Sequence, residues 1–125
     1  MTRFIDANVI VKAFFNNPDK DSCRHFLQEE FVTNMLCLVE AQKVLSVIKK
    51  DRIYAAECVK SLLKGSGIIA QLDKNLLFES LKRTEKYNLD PFDLIHYATA
   101  LLNNCHEIVS YDKDFNDLEI KRTEP

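Results

Sequence analysis

The sequence predicts an α/β fold, with a short, mainly parallel central sheet of four to five strands covered by helices on both faces. Two observations carry this expectation. Short apolar runs alternate with longer segments of helical period, and no Asn-Gly, Asp-Gly or Gly-Gly pair closes two such runs into a hairpin. The chain of 125 residues fits one domain spanning 1–125, and its 46% hydrophobic and 29% charged residues suit a globular core.

Phe4-Ile5 reads as a very short strand ending at Asp6, and Asn8 to Phe15 as a helix broken at Asn16-Asn17-Pro18. Asp19 or Asp21 can cap the next helix, whose apolar stripe is Cys23, Phe26 and Leu27. Glu30 to Thr33 reads as the second strand, and Asn34 as the N-cap of a long helix reaching Lys50. Asp51 restarts helical spacing, with Ile53, Ala56, Val59, Leu62 and Leu63 on one side. Gly65-Ser66-Gly67 is the clearest break, followed by a strand at Ile68-Ile69-Ala70 and a helix from Lys74 to Lys86. Asp90-Pro91-Phe92-Asp93 opens a helix to Asn104, with Asp at the cap, Pro in the first position and an acid in the first turn. Glu107 to Tyr111 reads as a fourth strand and Leu118 to Ile120 as a weak fifth.

No apolar run approaches the roughly 20 residues of a membrane span. Asp6 interrupts the stretch where a secretion signal would be apolar, so the expected location is the cytoplasm. The four cysteines, Cys23, Cys37, Cys58 and Cys105, lie in apolar patterns without CxxC spacing and read as reduced core residues. A net charge of −2 offers no general attraction for nucleic acid, but it suits an acidic site that recruits cations.

In an open parallel sheet, sites form at the carboxyl ends of the strands. Asp6 and Asp112 both follow strands there. Either acid alone equally suits a turn or cap. Glu40 shares a helical face with Leu36, Val44 and Val47, and a carboxylate on an apolar face needs a partner or a metal. Its plainer alternatives are a place at the stripe's margin, with the carboxylate snorkelling to solvent, or pairing with Lys43 one turn on. Asp93 sits in the first turn of its helix, where Asp90 alone can cap and leave Asp93 free. Four carboxylates from four elements would repel unless a cation neutralised them, and all-oxygen ligands favour Mg²⁺ or Mn²⁺. Two such ions can drive phosphodiester hydrolysis.

Asp90 fits a cap, and Asp114 and Asp117 fit loop acids; Asp90 and Asp114 stay as additional candidates. His96, one turn after Asp93, lacks a partner of catalytic spacing and reads as a surface or half-buried histidine. Lys49, Lys50 and Arg52, and Lys82, Arg83 and Lys86, read as solvated helix faces. Phe14, Phe15, Phe78 and Phe92 read as core or interface residues.

These residues resemble a known family. Phe-Ile-Asp6-Ala-Asn8-Val-Ile-Val is similar to the first motif of PIN domains, and Leu38-Val39-Glu40-Ala41 to the second. Asp93-Leu-Ile-His-Tyr-Ala-Thr-Ala resembles the third, and Ser110-Tyr111-Asp112-Lys113-Asp114-Phe115 the fourth. The matches fall in family order across nearly the whole chain. Leu36 departs from the pattern, standing where the second motif usually has Thr or Ser, and the first helix is shorter and more aromatic than expected of the VapC-type toxins of this family.

The resemblance implies a three-layer α/β/α domain and a Mg²⁺- or Mn²⁺-dependent endoribonuclease. Asp6, Glu40, Asp93 and Asp112 would be catalytic metal ligands, with Asn8 supporting the first Asp and Ser110 orienting the last. The size resembles VapC-type toxins, which implies an RNA substrate, a cognate antitoxin and a homodimer. The alternatives are an RNA-processing nuclease outside toxin–antitoxin systems and a catalytically silent RNA- or protein-binding module. A hydrolase with a strand-end Asp nucleophile would want a second acid two residues after Asp6, where Asn8 stands.

Overall fold

A computed structural model of the chain describes residues 2–125; Met1, the first residue of the expected domain, lies outside them. In chain order the elements are β1 (Arg3–Ile5), α1 (Ala7–Lys12), α2 (Lys20–Gln28), β2 (Phe31–Asn34), α3 (Met35–Lys49) and α4 (Arg52–Lys64). They continue as β3 (Ile68–Ala70), α5 (Lys74–Leu81), α6 (Pro91–Leu102), β4 (Glu107–Val109), a 3-10 turn over Lys113–Phe115, and β5 (Lys121–Thr123). The five strands run in the order β3-β2-β1-β4-β5, and every pairing is parallel. Successive strand residues point to opposite faces. Phe31, Val32, Thr33 and Asn34 are nevertheless all buried, as are Phe4-Ile5 and Ile108-Val109, so helices cover both faces.

The strand order places the site. β1 lies between β2 and β4, so their carboxyl ends share one edge. Asp6 follows β1, Asn34 ends β2, and Ser110 to Asp112 follow β4. Asp6 also caps α1, and its backbone N–H extends the ladder to Val109 O at 3.0 Å. Asn34 turns directly from strand into helix, its side chain accepting from the Cys37 N–H. Lys50 ends α3 in the left-handed region (φ 52°), and Asp51 caps α4 through the Tyr54 N–H.

Several expectations need correction. The fifth strand forms at Lys121–Thr123, three residues later than expected, because Leu118 to Ile120 is held by side chains instead. The Ile120 N–H donates to the Tyr97 hydroxyl, and Glu119 accepts from Tyr87. β4 stops at Val109, where the Ser110 side chain turns to Asp6. α5 ends at Leu81 and continues to Tyr87 as turns, since Lys82, Thr84, Glu85 and Lys86 are exposed and offer no stripe to pack. On α4 the core side is Ala55, Cys58 and Leu62, while Ile53 is 76% and Leu63 53% exposed. Phe78 and Phe92 are exposed and lie outside the core, which leaves the interface half of their reading. The four cysteines are free and buried, as expected. Among the described residues no helix is long and apolar enough to cross a membrane.

Candidate active site

Asp6 is 6% exposed at the end of the central strand and is held on both carboxylate oxygens. Oδ1 accepts from the Ala7 N–H at 2.7 Å, and Oδ2 accepts from the Ser110 hydroxyl at 2.6 Å. The same Ser110 oxygen accepts from the Asp112 N–H at 2.9 Å and from Asn8 Nδ2 at 3.3 Å. Asn8 in turn accepts from the Tyr111 N–H at 3.3 Å. One buried hydroxyl thus joins the ends of β1 and β4. Burial pushes the Asp6 carboxyl above its ordinary value, against the opposing hydrogen bonds from Ser110 and the Ala7 N–H.

Glu40 reaches the same edge from α3, though not from the face expected. The buried side of α3 is Cys37, Leu38, Ala41 and Leu45. Val44 and Val47 are 43% and 71% exposed, so the stripe shared with Glu40 is a rim rather than the core. The partner of Glu40 is His96, whose Nε2 lies 2.7 Å from Oε1, and not Lys43. His96 is 1% exposed, which corrects its reading as a surface or half-buried residue. Its spacing three after Asp93 on α6 was the signal available, since that step keeps both on one side of the helix. Its partner could not be read, because Glu40 lies 56 residues away.

Asp93 stands at the N-terminus of α6, where Asp90 accepts from its backbone N–H at 2.9 Å. Burial first, then the charges of Asp112, Asp90 and Asp6, push its carboxyl up to about 7. Asp112 caps the 3-10 turn, accepting from the Asp114 N–H at 2.9 Å. Asp93, Asp112 and Asp114 each bring a carboxylate oxygen within 4.8 Å of the others. Asp114 therefore lies with this cluster as the additional candidate, at the exposed end of it. Asp90 acts as the cap, and Asp117 does not line the cavity.

Asp6, Glu40, Asp93 and Asp112 line one cavity of about 370 Å³ with Asn8, Lys12 and an apolar wall that includes Phe15, Val44 and Ile48. Lys12 is paired with Asp19 at 3.3 Å and lies over the Tyr111 ring. Crowded carboxylates, all hard oxygen donors and with the proton affinity of Asp6 and Asp93 raised, fit a divalent cation such as Mg²⁺ or Mn²⁺. Asp6, Cys37 and His96 also lie close together, but they do not fit an ion. Both ring nitrogens of His96 are engaged, by Asn34 and by Glu40, and Cys37 Sγ sits at similar distances from the two, 3.4 and 3.7 Å. A larger open groove of about 650 Å³ between α3 and α4 is lined by one acid, Glu57, and gathers no comparable chemistry.

The sequence matches the PIN domain family model over residues 3–121. No curated protein matches it by sequence. Among solved structures, the fold is similar to a toxin–antitoxin complex from Klebsiella pneumoniae, with a TM-score of 0.76 and 16% identity over 97% of this chain and 96% of that one. It is also similar to Mycobacterium tuberculosis VapC20, a Sarcin-Ricin loop cleaving toxin (TM-score 0.73, 12% identity, 94% and 98% covered). A third is VapBC2 from Rickettsia felis bound to a DNA fragment from its promoter (TM-score 0.71, 18% identity, 99% and 98% covered).

Proposed function

The chain belongs to the PIN domain family, and from that membership we propose that it is a Mg²⁺- or Mn²⁺-dependent endoribonuclease, the toxin of a toxin–antitoxin pair. The observation that carries this reading is the lining of one cavity by four carboxylates from separate parts of the fold, Asp6, Glu40, Asp93 and Asp112. These four would hold the cation, and Asp114 stands within reach of Asp93 and Asp112 as a further donor. When bound, the cation supplies charge neutralisation at the phosphate and a more acidic water. The chain's own contribution is positional. Ser110 and the Ala7 N–H fix the rotamer of Asp6, and Ser110 ties the Asp112 backbone to it. In hydrolysis the water oxygen bonds to phosphorus as the ribose oxygen leaves. One of the carboxylates takes up the proton released by the water.

The toxin assignment is supported by the similar structures, which are toxins or toxin–antitoxin complexes. A homodimer and a bound antitoxin would cover apolar side chains now exposed, including Val47, Ile53 and Phe78. A catalytically silent module is disfavoured because no acid of the four is missing. Incubation of the purified chain with single-stranded RNA, with Mg²⁺, with Mn²⁺ and with chelator, tests the reading. Cleavage is expected only with metal and is lost in Asp6→Asn. Intact RNA under every condition, in a preparation free of antitoxin, would contradict it.

A further inference from the structure

Glu40 extends from the rim stripe of α3 with its side chain 33% exposed. Such a glutamate has several rotamers open to it, and holding one costs conformational entropy unless a partner selects it. The selecting partner is built from buried polar groups that the four acids do not account for. The Cys37 N–H donates to Asn34 Oδ1 at 2.8 Å, which fixes the orientation of the Asn34 amide. Asn34 Nδ2 then points at Thr99 Oγ1 and His96 Nδ1, both at 3.0 Å. Thr99 spends its hydroxyl hydrogen on Ile95 O at 2.8 Å and so can accept from Asn34. His96 Nδ1 therefore faces an amino group and accepts, and the ring hydrogen sits on Nε2, 2.7 Å from Glu40 Oε1. The Phe4 ring packs against the imidazole with centroids 5.8 Å apart, and at 1% exposure no water can replace either bond.

We propose that His96, held by Asn34, is the positioning residue for Glu40, fixing Oε1 so that Oε2 is presented to the cavity. The inference rests on the metal-dependent reading of that cavity. Among the described residues Oε2 forms no hydrogen bond, and Glu40 lines the cavity wall. A bond from a buried ring N–H to one carboxylate oxygen orients the ligand and leaves the other oxygen free for a cation. The arrangement also answers the departure at Leu36. The support that a hydroxyl four residues before Glu40 would give comes instead from across the interior, through the end of β2 and the middle of α6.

The test is calorimetric titration of Mn²⁺ into the wild-type protein and into His96→Phe, His96→Gln, Glu40→Gln and the double variant His96→Phe/Glu40→Gln. Removing such a supporting partner typically weakens metal binding about 10- to 100-fold, and His96→Phe is expected in that range. His96→Gln, whose amide nitrogen can stand near the imidazole Nε2, is expected to recover most of the affinity. In the Glu40→Gln background, His96→Phe is expected to add no further loss. Wild-type affinity in His96→Phe, or an equal loss in both backgrounds, would overturn the inference while leaving the metal site intact. Absence of Mn²⁺ binding by the wild type would overturn the metal reading and this inference together. Imidazole ¹⁵N shifts of the wild-type protein give an answer independent of any variant's folding. The Nε2–H tautomer is expected, and the Nδ1–H tautomer would overturn the proposal.

Discussion

At the residue scale, the site stores unfavourable charge. The Asp93 carboxyl stands at about 7 in the folded chain against an ordinary 3.8, and Asp6 is raised as well. Between those values the folded state holds more protons than the unfolded one, so metal-free stability falls as pH rises from 3.8 to about 7. Thermal melts in chelator from pH about 5 to about 8 are expected to show a declining midpoint, and Asp93→Asn to flatten the decline. A midpoint that climbs over that range would contradict the crowding. Ser110 is a second point of leverage, since its buried hydroxyl serves Asp6, the Asp112 N–H and Asn8 at once. Ser110→Ala is expected to cost ~1–3 kcal/mol in denaturant unfolding, because it leaves buried partners short of a bond.

At the scale of elements, the strands that carry the chemistry were legible and the helix faces were less so. Asp6 and Asp112 announced themselves by following apolar runs, and Asn34 by preceding a long helical segment. The two long central helices misled. Leu36, Val44 and Val47 on α3, and Ile53 and Leu63 on α4, share helical spacing but flank the buried stripes. The buried positions there include the small or weakly apolar residues Cys37, Ala41, Ala55 and Cys58, which allow close packing and give little signal. Edge strand β5 was misplaced for a related reason, being polar and defined by pairing with β4 rather than by pattern. At the other edge, a Cβ on Gly67 would run into the buried Phe31 ring. Gly67→Ala is expected to cost ~1–3 kcal/mol in stability and to leave Mn²⁺ affinity unchanged, since β3 contributes no residue to the cavity.

At the scale of the molecule, a fully parallel order with β1 in the centre brings residues more than 100 positions apart to one edge, as the bond between Asp6 and Ser110 shows. The pattern of strand-end acids was enough to locate that edge. The network of Asn34, Cys37 and His96 behind Glu40 was not, because every link to His96 joins residues 56 to 62 positions apart. Cation binding confined to the folded chain would also link site and stability. At about 100 times its dissociation constant a bound ion adds ~2.7 kcal/mol, so Mg²⁺ or Mn²⁺ is expected to raise the melting midpoint and chelator to reverse it. A midpoint indifferent to metal would argue against the site. The most direct measurement is anomalous diffraction from crystals soaked in Mn²⁺. The account predicts a peak in the cavity, coordinated by oxygens of Asp6, Glu40, Asp93 or Asp112. An empty cavity beside Mn²⁺ bound elsewhere on the chain would contradict it.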